Sequence, residues 1–321
     1  MGESAKRAGA LLRRPVKAVL AGSVILGMAA LSTASAQTRL VWSVDSGAEG
    51  WLPRTVSIGN QGTQVFTRVG PFFDRARVYS AHDDNPPAPV WTRTETRWTY
   101  KHQVASAELV DVHASIHEEY VSGTSGPKRP IVQKFTSSSG TPDWPYTIPT
   151  DHYGAEPSQI FVSEDGELIV AVSYDLTTTF DPRVLVFTAG SPVPVANSLV
   201  STSGQPERIL LSGDARTLYV FGGSVITVVD IPSMQTIWTA VILDEGLQSG
   251  HAISHDGRTI AFGAGNGLRI YGRQGSNYVE QHRYYFPANY RCEAIDIASD
   301  GSTLVAGANA SFDNLTVRIL A

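Results

Sequence analysis

The sequence predicts an all-β fold, a six-bladed β-propeller whose blades are four-stranded antiparallel sheets. Three observations predict it: a hairpin phrase that recurs along the chain, a nearly constant spacing between its copies, and tryptophans at a regular place after the hairpin. The clearest copies read IFVSEDGELIVAVS, ILLSGDARTLYVFGG, AISHDGRTIAFGAG and IDIASDGSTLVAGA. Each copy is an alternating run, a short turn and a second run, which is the pattern of a β-hairpin.

The turn of the phrase carries an Asp-Gly pair in three copies. Such a pair is a strong hairpin signal because the central residues of the tight turn adopt positive φ. We therefore interpret these pairs as structural: Asp165-Gly166, Asp256-Gly257 and Asp300-Gly301. Two degenerate copies precede them, with Gly62 and Glu118 at the turn position. With Ala215 in the fourth copy, the turn positions lie 56, 48, 49, 42 and 44 residues apart, and a unit of about 40 to 50 residues is one propeller blade.

A third strand follows each hairpin, and a fourth follows in five copies. The fourth-strand phrases APVW, PDW and QTIW end at Trp91, Trp144 and Trp238, whose rings we expect to fill the gaps between neighbouring blades. RLVW, ending at Trp42, is a fourth-strand phrase with no hairpin before it, whereas the last copy stops after its third strand. The N-terminal strand is therefore expected to complete the last blade and to close the ring. A seven-bladed alternative would split the long first unit at RTETRWTYKH.

The N-terminal 36 residues have the pattern of a secretory signal peptide. Basic residues precede the apolar run AVLAGSVILGMAALS, and Ala34-Ser35-Ala36 predicts cleavage before Gln37. An uncleaved anchor is the alternative. We expect residues 37–321 to form a single exported propeller domain, in a periplasm or outside the cell, without membrane insertion after cleavage.

Composition excludes several classes of partner. Residues 37–321 carry a formal charge of about −9, which disfavours nucleic acid and anionic membranes. A single cysteine, Cys292, excludes an intramolecular disulfide framework and is expected to be a buried side chain. We expect a monomer.

Taken together, these repeats resemble those of exported bacterial β-propellers with WD40-like, YVTN-like or quinoprotein-like repeats, over residues 39–321. The chain departs from the WD40 signature, because neither Gly-His before the blade nor Trp-Asp at the third strand recurs. Quinone-dependent dehydrogenases of this shape have more blades and often a vicinal cysteine pair, so the resemblance implies no such cofactor here.

The best candidate site from the sequence is the mouth of the central channel, where segments lead into the first strand of each blade. These segments contain Glu108, Asp111, Asp151, His152, Glu156, Glu207, His251, Arg291 and Glu293. His251 occupies the position held by Ile160, Ile209 and Ile295 in other copies, which suggests an imidazole facing the channel. His255 varies between copies beside a turn and is expected to be a solvated turn residue.

Catalytic and metal signals are weak. Asp151, Glu156, Asn289 and Asp296 offer oxygen ligands for calcium, a set that resembles that of six-bladed lactonases, but no spacing fixes them together. We find no nucleophile elbow and no serine convincingly near a histidine and a carboxylate. We therefore predict no cofactor, with calcium as the alternative. The predicted function is a non-enzymatic binding or scaffold module for a protein, peptide or glycan. A lactonase-like hydrolase or a lyase using His251 is the alternative.

Overall fold

A computed structural model describes most of the chain beyond residue 52. The described residues are 53–59, 64–69, 75–80, 89–94, 99–120, 128–136, 138–149, 155–175, 182–200, 206–222, 225–242, 247–287, 290–309 and 315–320. Within these ranges all regular structure is β-strand. They include no helix with the length and apolar character needed to cross a bilayer.

The strands form six antiparallel sheets, which we number I to VI in chain order. Sheet I contains β1 (Pro53–Gly59), β2 (Gln64–Val69), β3 (Arg75–Ser80) and β4 (Trp91–Thr94). Sheet II contains β5 (Thr99–Ser106), β6 (His113–Tyr120), β7 (Lys128–Phe135) and β8 (Trp144–Thr147). Sheet III contains β9 (Ala155–Val162), β10 (Leu168–Asp175), β11 (Pro182–Thr188) and β12 (Ala196–Leu199).

The second half of the chain continues the pattern. Sheet IV contains β13 (Pro206–Leu211), β14 (Thr217–Gly222), β15 (Val225–Asp230) and β16 (Gln235–Val241). Sheet V contains β17 (Leu247–Ile253), β18 (Thr259–Ala264), β19 (Gly267–Gln274) and β20 (Asn277–Tyr285). In sheet VI the described strands are β21 (Arg291–Ile297), β22 (Leu304–Asn309) and β23 (Leu315–Leu320).

Each sheet is a meander in which every strand pairs with the next one along the chain. The first strands of consecutive sheets also approach one another: β1 lies near β5, β5 near β9, β13 near β17 and β17 near β21. The inner edges of the sheets are therefore formed by their first strands. The turn after each first strand then lies at one end of the sheets, and the segment that leads into it lies at the other.

The turns between the first and second strands of sheets III, IV and V share one hydrogen-bond pattern. In sheet III, the Ser163 hydroxyl donates to Asp165 Oδ1 over 2.6 Å, and the same oxygen accepts from the Glu167 amide. The pattern repeats from Ser212 and Ser254 in sheets IV and V. The residue after the aspartate has positive φ, at 72° in Gly166, 55° in Ala215, 65° in Gly257 and 72° in Gly301. The recurring phrase therefore encodes a capped turn.

The turn of sheet II differs from the sequence prediction. Glu118, which was expected to be at a turn, lies buried inside β6, and the β5–β6 turn is formed by residues 107–112. The sequence is misleading here because Leu109 and Val110 stand where the sister turns have Asp-Gly or Asp-Ala. The segment RTETRWTYKH, considered as part of an extra blade, contributes its first two residues to β4 of sheet I and its last four to β5, the first strand of sheet II.

Apolar side chains pack between neighbouring sheets. Sheets II and III share a cluster that includes Ile116 and Ile160, and sheets III and IV share one that includes Val170 and Val220. Three further clusters join sheets I and II, IV and V, and V and VI. The core of this fold is therefore a series of layers between sheets.

Tryptophans of the fourth strands contact the following sheet. The Trp144 indole nitrogen donates to the Ala189 carbonyl over 3.0 Å, and its ring lies 5.4 Å from that of Phe187. Trp91 stacks on Phe135, and Trp238 contacts Tyr271 and Tyr278. The sequence placed Trp91 and Trp144 at the ends of their strands. In the structure both residues begin their strands, because pairing with the third strand starts at the tryptophan. Trp42 lies outside the described residues.

Candidate functional site

The segments that lead into the first strands were the predicted site. Glu156, Glu207, Arg291 and Glu293 lie near the beginnings of β9, β13 and β21, and Arg291 and Glu293 are exposed. Asp151 and His152 fall outside the described residues. Each first strand carries a register shift close to its beginning. Glu207 and Glu293 occupy the same position within such a shift, each five residues before the turn that follows, so the repeat gives this end of the sheets two equivalent acidic residues.

Glu108 and Asp111 do not belong to that end. They lie in the β5–β6 turn, at the opposite end of the sheets from the beginnings of the first strands. The prediction that they join the channel mouth is therefore wrong, and the cause is the unrecognised turn at Leu109 and Val110. Among the described residues, no group of three or more histidine, cysteine, aspartate or glutamate side chains could hold a metal ion.

His251 lies at the contact between sheets IV and V. It is in β17 opposite Phe262, and its ring packs edge-on against Phe221 of sheet IV, with ring centroids 4.3 Å apart. Burial, with a smaller contribution from the Arg208 cation, lowers the pKa of His251 to about 4. The imidazole is therefore neutral at pH 7 and far from the pKa that suits a proton-transfer catalyst. Its orientation towards a central channel stays a prediction.

A hydrogen-bonded histidine in sheet II was missed by the sequence. His113 Nδ1 lies 2.8 Å from the Ser106 hydroxyl, and its Nε2 lies 3.0 Å from Gln64 Oε1 and 3.4 Å from Asp111 Oδ1. The expectation that no serine approaches a histidine and a carboxylate is therefore wrong. Ser106 and His113 are directly paired residues of one hairpin, so a recognised β5–β6 turn would have predicted this contact.

The environment of His113 is that of a structural residue. Its side chain is fully buried, and burial lowers the pKa to about 4, although the Asp111 carboxylate partly opposes this shift. Gln64 belongs to β2, so the imidazole ties sheet I to sheet II. A base that holds a proton only in acid and has no exposed surface is poorly placed to activate a serine for an incoming substrate.

His255 makes a contact that its turn position did not suggest. Its Nδ1 lies 2.5 Å from Glu164 Oε1, so a residue of the sheet V turn reaches one of the sheet III turn. Gly213 of the intervening turn leaves the room for this, since a Cβ there would lie 2.1 Å from His255 Nδ1. The His255 carbonyl also accepts from the Asp214 amide. His255 is therefore half-buried and paired, where a solvated residue was expected. The available signal in the sequence was that successive copies have Glu164, Gly213 and His255 at this turn position, with the small residue between the acidic and the basic one.

Comparisons with known proteins identify the fold and no family. No family model matches the chain, and no curated protein matches it. Among solved structures, 1303 chains match. One, from the crystal structure of a mitotic checkpoint complex, has a TM-score of 0.58 and 13% identity, covering 84% of this chain and 74% of its own. Another, the Myceliophteria thermophila Cps50 (Swd1) β-propeller domain, has a TM-score of 0.55 and 13% identity, covering 79% of each chain. The chain therefore has a β-propeller fold, which many functions share.

Proposed function

We propose that this chain is an exported β-propeller that binds a protein partner on one face and has no catalytic activity of its own. The observation that carries the proposal is the exposure of two adjacent large apolar side chains, Leu109 and Val110, on the β5–β6 turn. Exposed apolar groups of this kind favour recognition of a partner. The likeness to a chain of a mitotic checkpoint complex supports the proposal, because that chain was solved within an assembly.

The alternative of a channel-site hydrolase or lyase requires a histidine that exchanges protons near neutral pH. Burial holds the pKa values of His251 and His113 near 4, so both imidazoles suit packing better than acid–base work. This environment favours the binding function over the catalytic one.

Export and ring closure are part of the proposal. The signal-peptide pattern of residues 1–36 supports export, and N-terminal sequencing of the exported protein is expected to begin at Gln37. Six blades are supported by the six sheets, of which sheet VI has three described strands and the others four. An experimental structure of the mature chain is expected to show the segment ending at Trp42 paired with β23. Pairing of that segment elsewhere would contradict closure.

The binding function is tested by recovery of partners with the folded mature protein. Tagged protein is incubated with the exported protein fraction of the cells that produce it, crosslinked, and analysed by mass spectrometry. We expect to recover a protein partner. Its recovery should fall about tenfold with a variant of one face, and that variant should keep the melting temperature of the wild-type protein. The variant of the channel mouth is Glu207→Lys with Glu293→Lys, and that of the turn end is Leu109→Asp with Val110→Gly. If no protein exceeds the background of an unrelated exported bait, or if both variants retain every partner, the proposal is wrong.

A further inference from the structure

The turn of sheet II breaks the pattern of its sister turns with two exposed apolar side chains. The Ala107 amide donates to the Val112 carbonyl over 2.8 Å, as the Ser163 amide does to that of Leu168, so residues 107–112 correspond to 163–168. Leu109 and Val110 therefore take the places of Asp165 and Gly166. Leu109 is 50% exposed and Val110 is 37% exposed.

Local stability does not account for this exchange. An aspartate at the Leu109 position could accept a hydrogen bond from the Asp111 amide, as Asp165 does from the Glu167 amide. Leucine cannot accept this bond and leaves half of its side chain in water, which is unfavourable for the free chain. A leucine that costs stability where four sister turns have an aspartate suggests that its exposed side chain meets a partner.

The apolar pair is held firmly against the turn of sheet III. The Leu109 amide donates to the Glu164 carbonyl over 2.9 Å. Val110 packs so closely on Gly166 that a Cβ there would come within 2.4 Å of its Cγ2 atom. The two turns thus form one continuous surface, which we call the II–III turn surface and define as residues 107–112 and 163–168. Because these contacts order the two turns before a partner arrives, less conformational entropy is lost on binding.

The charge of this surface selects the partner. Its two turns contain five carboxylates and no lysine or arginine: Glu108, Asp111, Glu164, Asp165 and Glu167. Glu164 is already paired with His255, so the other four are the main contribution to the charge offered to a partner. Hydrogen bonds from Ser163 and from the Glu167 amide lower the pKa of Asp165, so it is ionised at neutral pH. The corresponding turns of sheets IV and V each balance an aspartate with an arginine, Arg216 and Arg258. Negative charge is therefore concentrated in the two turns that also carry the exposed Leu109.

We propose that the II–III turn surface docks a segment of a protein partner in which an apolar side chain is flanked by lysine or arginine. The apolar anchor covers Leu109 and Val110, and the basic residues face the surrounding carboxylates, so complementary charge steers the encounter and fixes the orientation. This inference rests on the proposed binding function and assigns it to the turn end of the sheets, opposite the channel mouth.

The test uses peptides of defined sequence. A phage-displayed library of random dodecapeptides is selected on the folded mature protein, and enriched peptides are synthesised with a fluorophore for affinity measurement by polarisation. We expect enrichment of a large apolar residue beside two or more lysine or arginine residues. Leu109→Asp with Val110→Gly, which recreates the sister turn, should weaken binding about tenfold or more. Glu108→Gln with Glu167→Gln tests the charges without changing the turn, and should weaken binding several-fold and reduce its salt dependence.

The matched control is Val193→Asp, which removes an apolar side chain that is 66% exposed after β11, and it should leave affinity unchanged. Peptides that bind with equal affinity to the turn variant and to the wild type would overturn this surface but leave the binding function in place. No enrichment of basic peptides, together with no partner recovered by crosslinking, would overturn both. Concentration-dependent dimerisation lost in the turn variant would assign the surface to a second copy of this chain and overturn the proposed partner.

Discussion

Acidification is expected to destabilise this protein strongly between pH 6.5 and about pH 4, through His113 and His251. Burial lowers the pKa of each imidazole to about 4, whereas the unfolded chain titrates near 6.5. The unfolded state therefore binds more protons in this window. The stabilisation due to the neutral rings is complete above pH 6.5 and is lost as the pH falls from there through about 4.

The expected loss is large for two side chains. A shift of this size corresponds to roughly 2–3 kcal/mol of unfolding free energy for each imidazole at pH 4.5. Urea unfolding of the wild type at pH 7.5 and 4.5 measures the total. In His251→Ile, which installs the side chain of the sister positions Ile160 and Ile209, the loss on acidification should shrink by roughly 2–3 kcal/mol.

The control for this prediction is His282→Gln, which replaces an exposed histidine of β20 and should keep the acid sensitivity of the wild type. An equal loss of stability in wild type and His251→Ile on acidification would show that the ring near Phe221 is not buried as described.

Replacement of Trp144 by alanine is expected to cost about 3–5 kcal/mol of unfolding free energy. The indole is 7% exposed, packs against Phe187 and donates a hydrogen bond to the Ala189 carbonyl of the next sheet. The substitution leaves a cavity between sheets II and III and removes the hydrogen bond to the partly buried Ala189 carbonyl. Trp144→Phe should retain most of the packing and lose about 1 kcal/mol for the hydrogen bond.

Denaturant unfolding measures the losses of unfolding free energy in Trp144→Ala and Trp144→Phe. The control is Val279→Ala, which shortens an exposed side chain of β20. A loss below about 1 kcal/mol in Trp144→Ala would contradict the role of this ring between the sheets.

The hairpins with Asp-Gly were predictable because their signal is local. A turn that requires positive φ and a side-chain cap restricts its residues to a few types, and Gly166, Gly257 and Gly301 show this restriction in the sequence itself. The β5–β6 turn carries no such signal. Its Leu109 and Val110 look like strand residues, so the turn was assigned to Glu118, in a strand that is buried on both faces.

The candidate site was less predictable because it depends on contacts between sheets. The sequence identified His251 as a break in an apolar pattern, but the neighbouring ring of Phe221 lies 30 residues earlier in another sheet. Ser106 and His113 were missed together with their turn. The exposed Leu109 indicates a docking surface only together with the neighbouring Glu164. The hydrogen bond between their backbones joins two turns into one surface, and the sequence does not show this contact.

Hydrogen–deuterium exchange on the complex with a selected basic peptide tests the central claim most directly. The claim is that this propeller binds a protein segment at the II–III turn surface. We expect slower exchange of the amides in residues 107–112 and 163–168 when the peptide is bound, with no such change in Leu109→Asp with Val110→Gly. Protection confined to the segments that lead into the first strands, or no protection anywhere, would contradict it.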